Sequence, residues 1–528
     1  MALKELGRII GETTHSKIIF TANRPPRVGE YVIVEYPELE IDGVKVKHVL
    51  AMVESSTIGN PALLVRGIKP EYVEKASQLR LERSEYMIGS ARLIGWVELL
   101  ERGRLYTPKH PPKPGARVYE ASSDVLKKIF EKKPEEKEEE GRRKNNAWIR
   151  IGTLINHRDV PVYVNVNAIV SRHLAILAVT GAGKSNTVGV LVDRIVNELH
   201  GTVLIIDMHN EYGKVAGVNT NDVVAKIHPV KLTIYEYYRL LDLDEKATKQ
   251  RMYLRKAYRE LFESGEALKE SEKFLDKLEE KLRQYIKDKK IPGNDRNRIA
   301  DLLNKIAELR DRYEGRVLSV DAPTTLEQVI VPGKANVLKL GSVDEEVADV
   351  VVYHYLDWLL RERKRYFGGE SGYPVPVLVV IEEAHVLIPR NRSTLTKQVA
   401  ARIAREGRKF GVGLCLVSQR PKNIDEDALS QTNNKIILKL VEPSDQRYVQ
   451  QASETLSEEL LDLLPSLNTG EAIILGMMTP IPALVKIDKA QHKVTGSDID
   501  VAGEWLKYCE NKEKEREKTE EYNPYNMF

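Results

Sequence analysis

Lys184 and Ser185 stand in the run Thr180-Gly181-Ala182-Gly183-Lys184-Ser185-Asn186-Thr187, which is entered from an apolar stretch, Leu174 to Val179, and left by a helical pattern, Val190 to Leu199. A strand, a glycine loop and a helix in that order bring backbone N–H groups around phosphate oxygens, with the positive end of the helix added. Lys184 can then reach the β- and γ-phosphates of a nucleotide, while the Ser185 hydroxyl can bind Mg²⁺. Thr180, Gly181, Ala182, Gly183 and Asn186 complete the phosphate-binding set. The motif ordinarily opens on Gly where this chain has Ala178, but Ala is nearly as small and Gly-Lys-Ser is kept. A glycine-rich turn with an accidental lysine is the competing reading; strand, loop and helix in register weigh against it.

A second apolar stretch, Val377 to Ile381, ends in Glu382-Glu383-Ala384-His385. A buried strand that stops on two carboxylates can hold one acid near Mg²⁺ and aim the next at an attacking water. By position Glu382 is the metal-side acid and Glu383 the base. Glu at the first place has a longer arm than the commoner Asp, which suits a water-bridged metal contact. The plainer alternative is a pair of surface acids capping the next helix. A third apolar run, Gly411 to Val417, ends in Ser418-Gln419-Arg420-Pro421. Gln419 would lie between the two sites and could sense a γ-phosphate, or it merely satisfies backbone groups at a strand end. Cys415 falls inside this run, where burial leaves a thiol inert. Just before it, Arg402, Arg405 and Arg408 recur every three residues within Lys397 to Lys409. Such a stripe exceeds what one ion pair needs, and an arginine reaching the next copy's γ-phosphate stabilises a transferring phosphoryl group. A solvated helix face ion-paired to Glu406 is the alternative. Arg172, just ahead of the first strand, is a second candidate.

These residues need elements to hold them. With 528 residues there is room for about three compact units of roughly 150 residues each. Hydrophobic residues at 42% and charged residues at 30% disfavour wholesale disorder and a membrane class. No run approaches the ~20 apolar residues of a bilayer span, and the first ten residues carry acids without a secretory stretch. Two distant cysteines, Cys415 and Cys509, provide neither a disulfide scaffold nor a four-cysteine zinc site, so a reducing cytoplasm is the expected compartment.

β-rich runs at Ile18–Thr21, Tyr31–Glu35, Val44–Val53 and Met87–Val97, broken by turn residues, predict a small β-barrel or sandwich over 1–125. Lys/Glu-dense sequence from Lys127 to Lys144 reads as either a solvated linker or an exposed charged helix, and the domain boundary is placed there, as a charged linker at 126–146. From Ile149 to Ile206 buried-strand runs and helical patterns alternate, as expected of βαβ units around a parallel sheet. This α/β core is expected in two parts, 147–231 and 316–500, with a helical insertion at 232–315. There Ile299, Leu302, Leu303, Ile306 and Leu309 share one helical face. That face is expected to pack on its neighbours and not on a membrane, since both charge signs line the polar side. Residues 501–528 form a C-terminal extension.

Together these residues resemble the HerA branch of the HerA/FtsK superfamily of ring-forming DNA-pumping ATPases. The resemblance rests on the barrel, the phosphate loop, Ile205-Ile206-Asp207-Met208-His209-Asn210-Glu211-Tyr212, the Ile381-to-His385 strand end and Ser418-Gln419-Arg420-Pro421. It implies an α/β P-loop NTPase (RecA-like) domain with an N-terminal β-barrel and an inserted helical subdomain, using ATP and Mg²⁺. It also implies a homohexamer around double-stranded DNA that works with a NurA-type nuclease in resecting DNA ends for recombinational repair, in archaea. The roles implied are nucleotide and Mg²⁺ binding for Lys184 and Ser185, water activation for Glu383, sensing for Gln419 and a finger in trans for Arg408. Arg172 is implied near nucleotide, and the tail Tyr522 to Phe528 across a neighbouring subunit. FtsK-like membrane spans are absent, so no membrane partner is expected. A net charge of +3 is compatible with DNA, because a ring needs positive potential only along its channel. Arg390, Arg392 and Lys397, after the second acidic strand, are the candidate channel residues. Two rivals stay open: a membrane-associated conjugation- or secretion-type ATPase, and a nucleotide-switched DNA-binding assembly.

Overall fold

The computed structural model describes residues 3–61, 85–130, 147–453, 455–492, 501–503, 505–509 and 512. Most of the expected charged linker, from 131 to 146, and the tail Tyr522 to Phe528 lie outside the described residues.

Six strands close an antiparallel barrel in the order β1-β2-β5-β4-β3-β6: β1 (Glu5–Ile9), β2 (Lys17–Ala22), β3 (Tyr31–Ile41), β4 (Val44–Gly59), β5 (Tyr86–Trp96) and β6 (Arg117–Glu120). β1 crosses β2 so closely that a Cβ on Gly7 would lie 1.7 Å from the Thr21 carbonyl oxygen, which only glycine avoids. Along β3 successive side chains point to opposite faces. Val32 and Val34 fill the barrel interior, while Tyr31 and Ile33 join the core of the neighbouring α/β body. Burial on both faces explains why the first four residues of this strand, Tyr31 to Val34, read as an unbroken apolar run. The seam is fastened by the Tyr31 hydroxyl, which donates to the Pro482 carbonyl at 2.6 Å, and by Asn156 Nδ2, which donates to Val28 O at 3.1 Å.

The helix Ser123–Phe130 runs across residue 126, where the linker was expected to begin. Val125, Leu126, Ile129 and Phe130 lie on one helical face and enter the α/β core, so the barrel's exit is packed and not free.

The body is an eleven-stranded sheet. Seven strands run parallel in the order β11 (Thr220–Val224), β12 (Ala335–Lys339), β10 (Thr202–Asp207), β13 (Val377–Ile381), β14 (Val412–Ser418), β9 (Leu174–Leu177) and β15 (Asn434–Ile437). β16 (Glu471–Leu475), β17 (Ala483–Ile487), β7 (Trp148–Leu154) and β8 (Pro161–Asn165) extend it as antiparallel neighbours. The parallel alternation expected from Ile149 therefore starts only at β9. The connection Ile155 to Val160 is too short for a crossover, which takes about a dozen residues, so β7 and β8 can only form a hairpin.

Between β11 and β12 come the insertion helices, chief among them Ile234–Leu240, Thr248–Glu263, Phe274–Lys287 and Gly293–Tyr313. Ile299, Leu302, Ile306 and Leu309 are buried and Leu303 packs against the same core, so the apolar face is covered by protein. Among the described residues no helix is long and apolar enough to cross a membrane.

The insertion is joined to the body at a dry polar contact. Glu236 takes the Thr233 N–H with one oxygen and His354 Nδ1 with the other, at 2.9 Å, and it has no exposed surface. Glu236→Ala strips these donors of their acceptor where water cannot replace it. The expected cost is about 3 kcal/mol of unfolding free energy, read by denaturant titration against the parent protein. An unchanged midpoint would show that this contact does not hold the insertion.

Candidate nucleotide site

β9 is fully buried and stops at Leu177, after which the chain turns through Thr180–Gly183 into the helix Lys184–Leu199. Gly181 (φ 77°) and Gly183 (φ 106°) adopt left-handed backbone that favours glycine. A Cβ at 183 would also press on Gly470 N at 3.2 Å, and that same N–H donates to the Ala182 carbonyl at 2.8 Å. The loop therefore keeps its amide groups turned around an open space at the start of a sixteen-residue helix, which is an anion-binding geometry.

β13 does not pair with β9; β14 lies between them. The ends of these three strands place Lys184, Glu383 and Gln419 around one cleft of about 760 Å³. Gln419 Oε1 accepts from the Thr180 hydroxyl, so its amide nitrogen is the end that can donate to a phosphate. Lys184 Nζ lies 2.8 Å from Glu383 Oε1 and 3.4 Å from Glu382 Oε2. Burial would lower the Lys184 pKa, but the two carboxylates outweigh it and hold the ammonium above its ordinary value.

The adjacent acids are driven apart. Burial raises Glu382 above the ordinary carboxylate range despite Lys184 and the Tyr212 hydroxyl that donates to it. For Glu383 burial is outweighed by His385 and Lys184, and its pKa is held down to about 2. Neighbouring carboxylates with opposed environments suit different tasks. Glu383 also has left-handed backbone (φ 47°, ψ 46°), an uncommon and strained state for a residue with a Cβ that occurs preferentially at functional sites.

The Ser185 hydroxyl donates to Glu211 Oε2 at 3.0 Å. Glu211 and Tyr212 are held in place because Asp207, at the end of β10, accepts the N–H groups of His209, Glu211 and Tyr212. Ser185, Glu211 and Glu382 are oxygen donors of the kind a hard cation takes. Among the described residues no group of three or more His, Cys, Asp or Glu is arranged to hold a metal alone. That pattern fits Mg²⁺, which commonly takes one or two protein oxygens and completes its shell with phosphate and water.

The Asn186 side chain is committed elsewhere: Nδ2 donates to Asp488 O at 2.8 Å and Oδ1 accepts the Ala490 N–H at 2.9 Å. Only its backbone N–H, in the first helical turn, remains for phosphate. Through these bonds the segment after β17 lies along the cleft and lines it with Lys489, Ala490 and His492. Cys415 is fully buried within β14, and burial pushes its thiol pKa up.

The arginines are at the other end of the sheet. Arg172 precedes β9, and Arg408 lies on the helix Leu395–Phe410 just before β14 begins. The two segments are tied by His173, whose Nε2 is 3.1 Å from the Ala404 carbonyl and whose Nδ1 accepts the Leu414 N–H at 3.0 Å. β14 spans Val412–Ser418, about 20 Å at the rise of a strand, so neither arginine reaches the phosphate loop of its own chain. Glu406 is paired with Lys364 and Arg402 with Asp357. Among the described residues Arg405 and Arg408 are exposed and make no ion pair.

The proposed channel cations are already engaged within the chain. Arg390 lies 3.7 Å from Glu426 and over the Tyr448 ring, and Arg392 lies 3.1 Å from Glu345. Lys397 is three-quarters buried, paired with Asp425 at 2.7 Å and donating to Pro389 O. It pins the loop, whereas the two arginines stay about half exposed.

Family models match the chain in succession: the HAS barrel domain over residues 6–98, the central domain of helicase HerA over 149–359 and the helicase HerA-like C-terminal domain over 332–488. A DNA double-strand break repair helicase HerA of Sulfurisphaera tokodaii is 40% identical over 515 residues, covering 96% of this chain and 98% of that protein. The protein of the same description from Saccharolobus solfataricus is 40% identical over 512 residues, with 96% of each chain covered. Among solved structures, VirB4 of Thermoanaerobacter pseudethanolicus aligns with a TM-score of 0.48 at 20% identity, over 65% of this chain and 97% of that one. The barrel, the three-strand candidate nucleotide site and 40% identity to a HerA helicase over 96% of the chain agree, and the chain belongs to the HerA family.

Proposed function

We propose that this chain is an ATP-hydrolysing DNA repair helicase that moves along double-stranded DNA as a ring of six copies, with a NurA-type nuclease as its partner at broken ends. The observation that carries the ring is the separation of the site's parts. Lys184, Glu383 and Gln419 meet at one end of the sheet, while Arg172 and Arg408 stand about 20 Å away at the other. A second copy packed head to tail would bring those arginines to the phosphates of the first, so that each active site is completed at a seam.

In this reading ATP displaces internal contacts. Lys184 leaves Glu383 for the β- and γ-phosphates, and Ser185 turns from Glu211 toward the cation. Ser185 and Glu382 would hold Mg²⁺, which when bound would supply charge neutralisation at those phosphates. Glu383, ionised at neutral pH, accepts the proton of the attacking water, and Gln419 donates to the γ-phosphate. Arg390 and Arg392 line the DNA channel. HerA relatives described as double-strand break repair helicases support the DNA substrate.

The test is steady-state ATP hydrolysis with no DNA, linear duplex or single strand, beside the native mass of the assembly. Stimulation by duplex together with the mass of six chains is the expected result. Hydrolysis indifferent to DNA, with or without a partner nuclease, would favour the nucleotide-switched assembly.

A further inference from the structure

The phosphate chemistry engages only part of the cleft. Its remaining lining comes from the turn Thr469–Gly470 and from the chain that begins at Lys486, at the end of β17. Both are joined to the phosphate loop. Gly470 N–H donates to Ala182 O at 2.8 Å, and the Lys486 ammonium donates to Thr469 O at 2.6 Å.

The residues after β17 are fastened from two elements. The Asn186 side chain donates to Asp488 O at 2.8 Å and accepts the Ala490 N–H at 2.9 Å. The Asp488 carboxylate is paired with Arg150 of β7 at 3.1 Å and with Arg194, two turns along the helix from Asn186, at 2.7 Å. Three residues held by four polar contacts form a fixed wall.

The position of that wall follows from Asn186. Amide groups of a phosphate loop and the first turn after it cradle the α- and β-phosphates, while Glu383 and Gln419 mark the γ end in the proposed reading. A nucleotide bound in that sense sends its nucleoside away from those two residues and past Asn186. The chain there presents hydrocarbon: Ile487, Ala490 and the stems of Lys486 and Lys489. A largely apolar wall with its polar groups already committed suits a flat base and its ribose.

We propose that the segment from Ile487 to Ala490, latched by Asn186, is the wall that receives the nucleoside half of the ligand. The same asparagine then offers its backbone N–H to phosphate and its side chain to the wall, which sets the distance between the two subsites. This rests on the reading of the cleft as a nucleoside triphosphate site.

The test compares ATP with inorganic tripolyphosphate on the full-length protein and adds photolabelling by 8-azido-ATP. The parent protein should bind ATP more tightly than tripolyphosphate and be labelled at Thr469, Gly470 or between Lys486 and His492. Ala490→Pro deletes the N–H that Asn186 accepts, and Ala490→Trp keeps it but fills the space in front of the wall. Each should weaken ATP on the order of 10-fold or more, the scale of losing one buried apolar contact, and leave tripolyphosphate affinity as in the parent. Unchanged ATP affinity in both variants, or equal losses of the two ligands, overturns the proposal. If neither variant folds, the labelling of the parent decides: label confined to other residues overturns it. A parent protein that binds neither ligand removes the nucleotide reading itself, whereas equal parental affinity for both ligands removes only the nucleoside wall.

Discussion

Glu383→Gln is expected to bind ATP at least as tightly as the parent protein and to hydrolyse it about 10²- to 10⁴-fold more slowly, the range a positioned general base supplies. The substitution keeps the shape of the side chain and its seat beside His385 and Lys184 while removing the proton acceptor. Affinity should not fall, because in the ligand-free site Lys184 must leave Glu383 to reach phosphate, and a neutral amide releases it more easily. The pH dependence has a definite sign. A carboxylate depressed to about 2 is ionised at all higher pH, so in the free enzyme Glu383 gives no acid limb near neutrality in kcat/KM. The checks are nucleotide-binding titration, single-turnover hydrolysis and a pH series from 5 to 9. Parental turnover in the variant would remove Glu383 from the mechanism, and an acid limb near pH 6 would have to be traced to another group.

The second large effect concerns the proposed seam between copies. Arg408→Ala alone should lose about 10³-fold or more in kcat, as arginine fingers do. Lys184→Ala should be equally inactive because its own phosphate site is broken. Mixed, the two complement each other if Arg408 acts in trans: an Arg408→Ala chain has an intact cleft, and a Lys184→Ala neighbour can lend it the arginine. With random exchange and independent seams, an equal mixture should regain up to roughly a quarter of parental activity, since a head-to-tail ring gives each site one donor. A mixture as inactive as its two components, with subunit exchange verified by mass, would exclude trans action. The separation of Arg408 from its own phosphate loop by the length of β14 makes a contribution within one chain untenable, so that result would leave Arg408 no catalytic part.

The parts legible in the sequence are those where chemistry and periodicity coincide. β9, β13 and β14 are apolar runs that each end in residues too polar or too glycine-rich to continue a strand, so both the strands and the site at their ends could be read. β6, with four residues, is too short to show an alternation, and the barrel's closure was hidden with it. The β7–β8 hairpin resembled the start of a parallel unit because its buried residues look alike in either sheet type.

Within the site, Glu211 and Tyr212 were visible only as part of a motif. Their approach to Ser185 and Glu382 depends on the Asp207 turn, which spacing does not reveal. The lining by Lys489, Ala490 and His492 could not be read either, since those residues arrive from some 300 positions downstream and are held by Asn186. Lys397 was read as a candidate channel residue from its place in a basic loop, and its pairing with Asp425 is a tertiary contact that the sequence does not reveal.

The two-faced burial of β3 bears on how load would travel. Tyr31 and Ile33 are embedded in the α/β core while Val32 and Val34 of the same strand hold the barrel together, so no compliant layer separates the two. Mechanically the barrel is a flange cast in one piece with the body, not a weight on a tether. A pull on its outer wall would be delivered without slack to β17, beside Pro482, near the segment that lines the cleft. Among the described residues, strain and torque therefore have a packed path between the barrel's surface and the candidate nucleotide cleft.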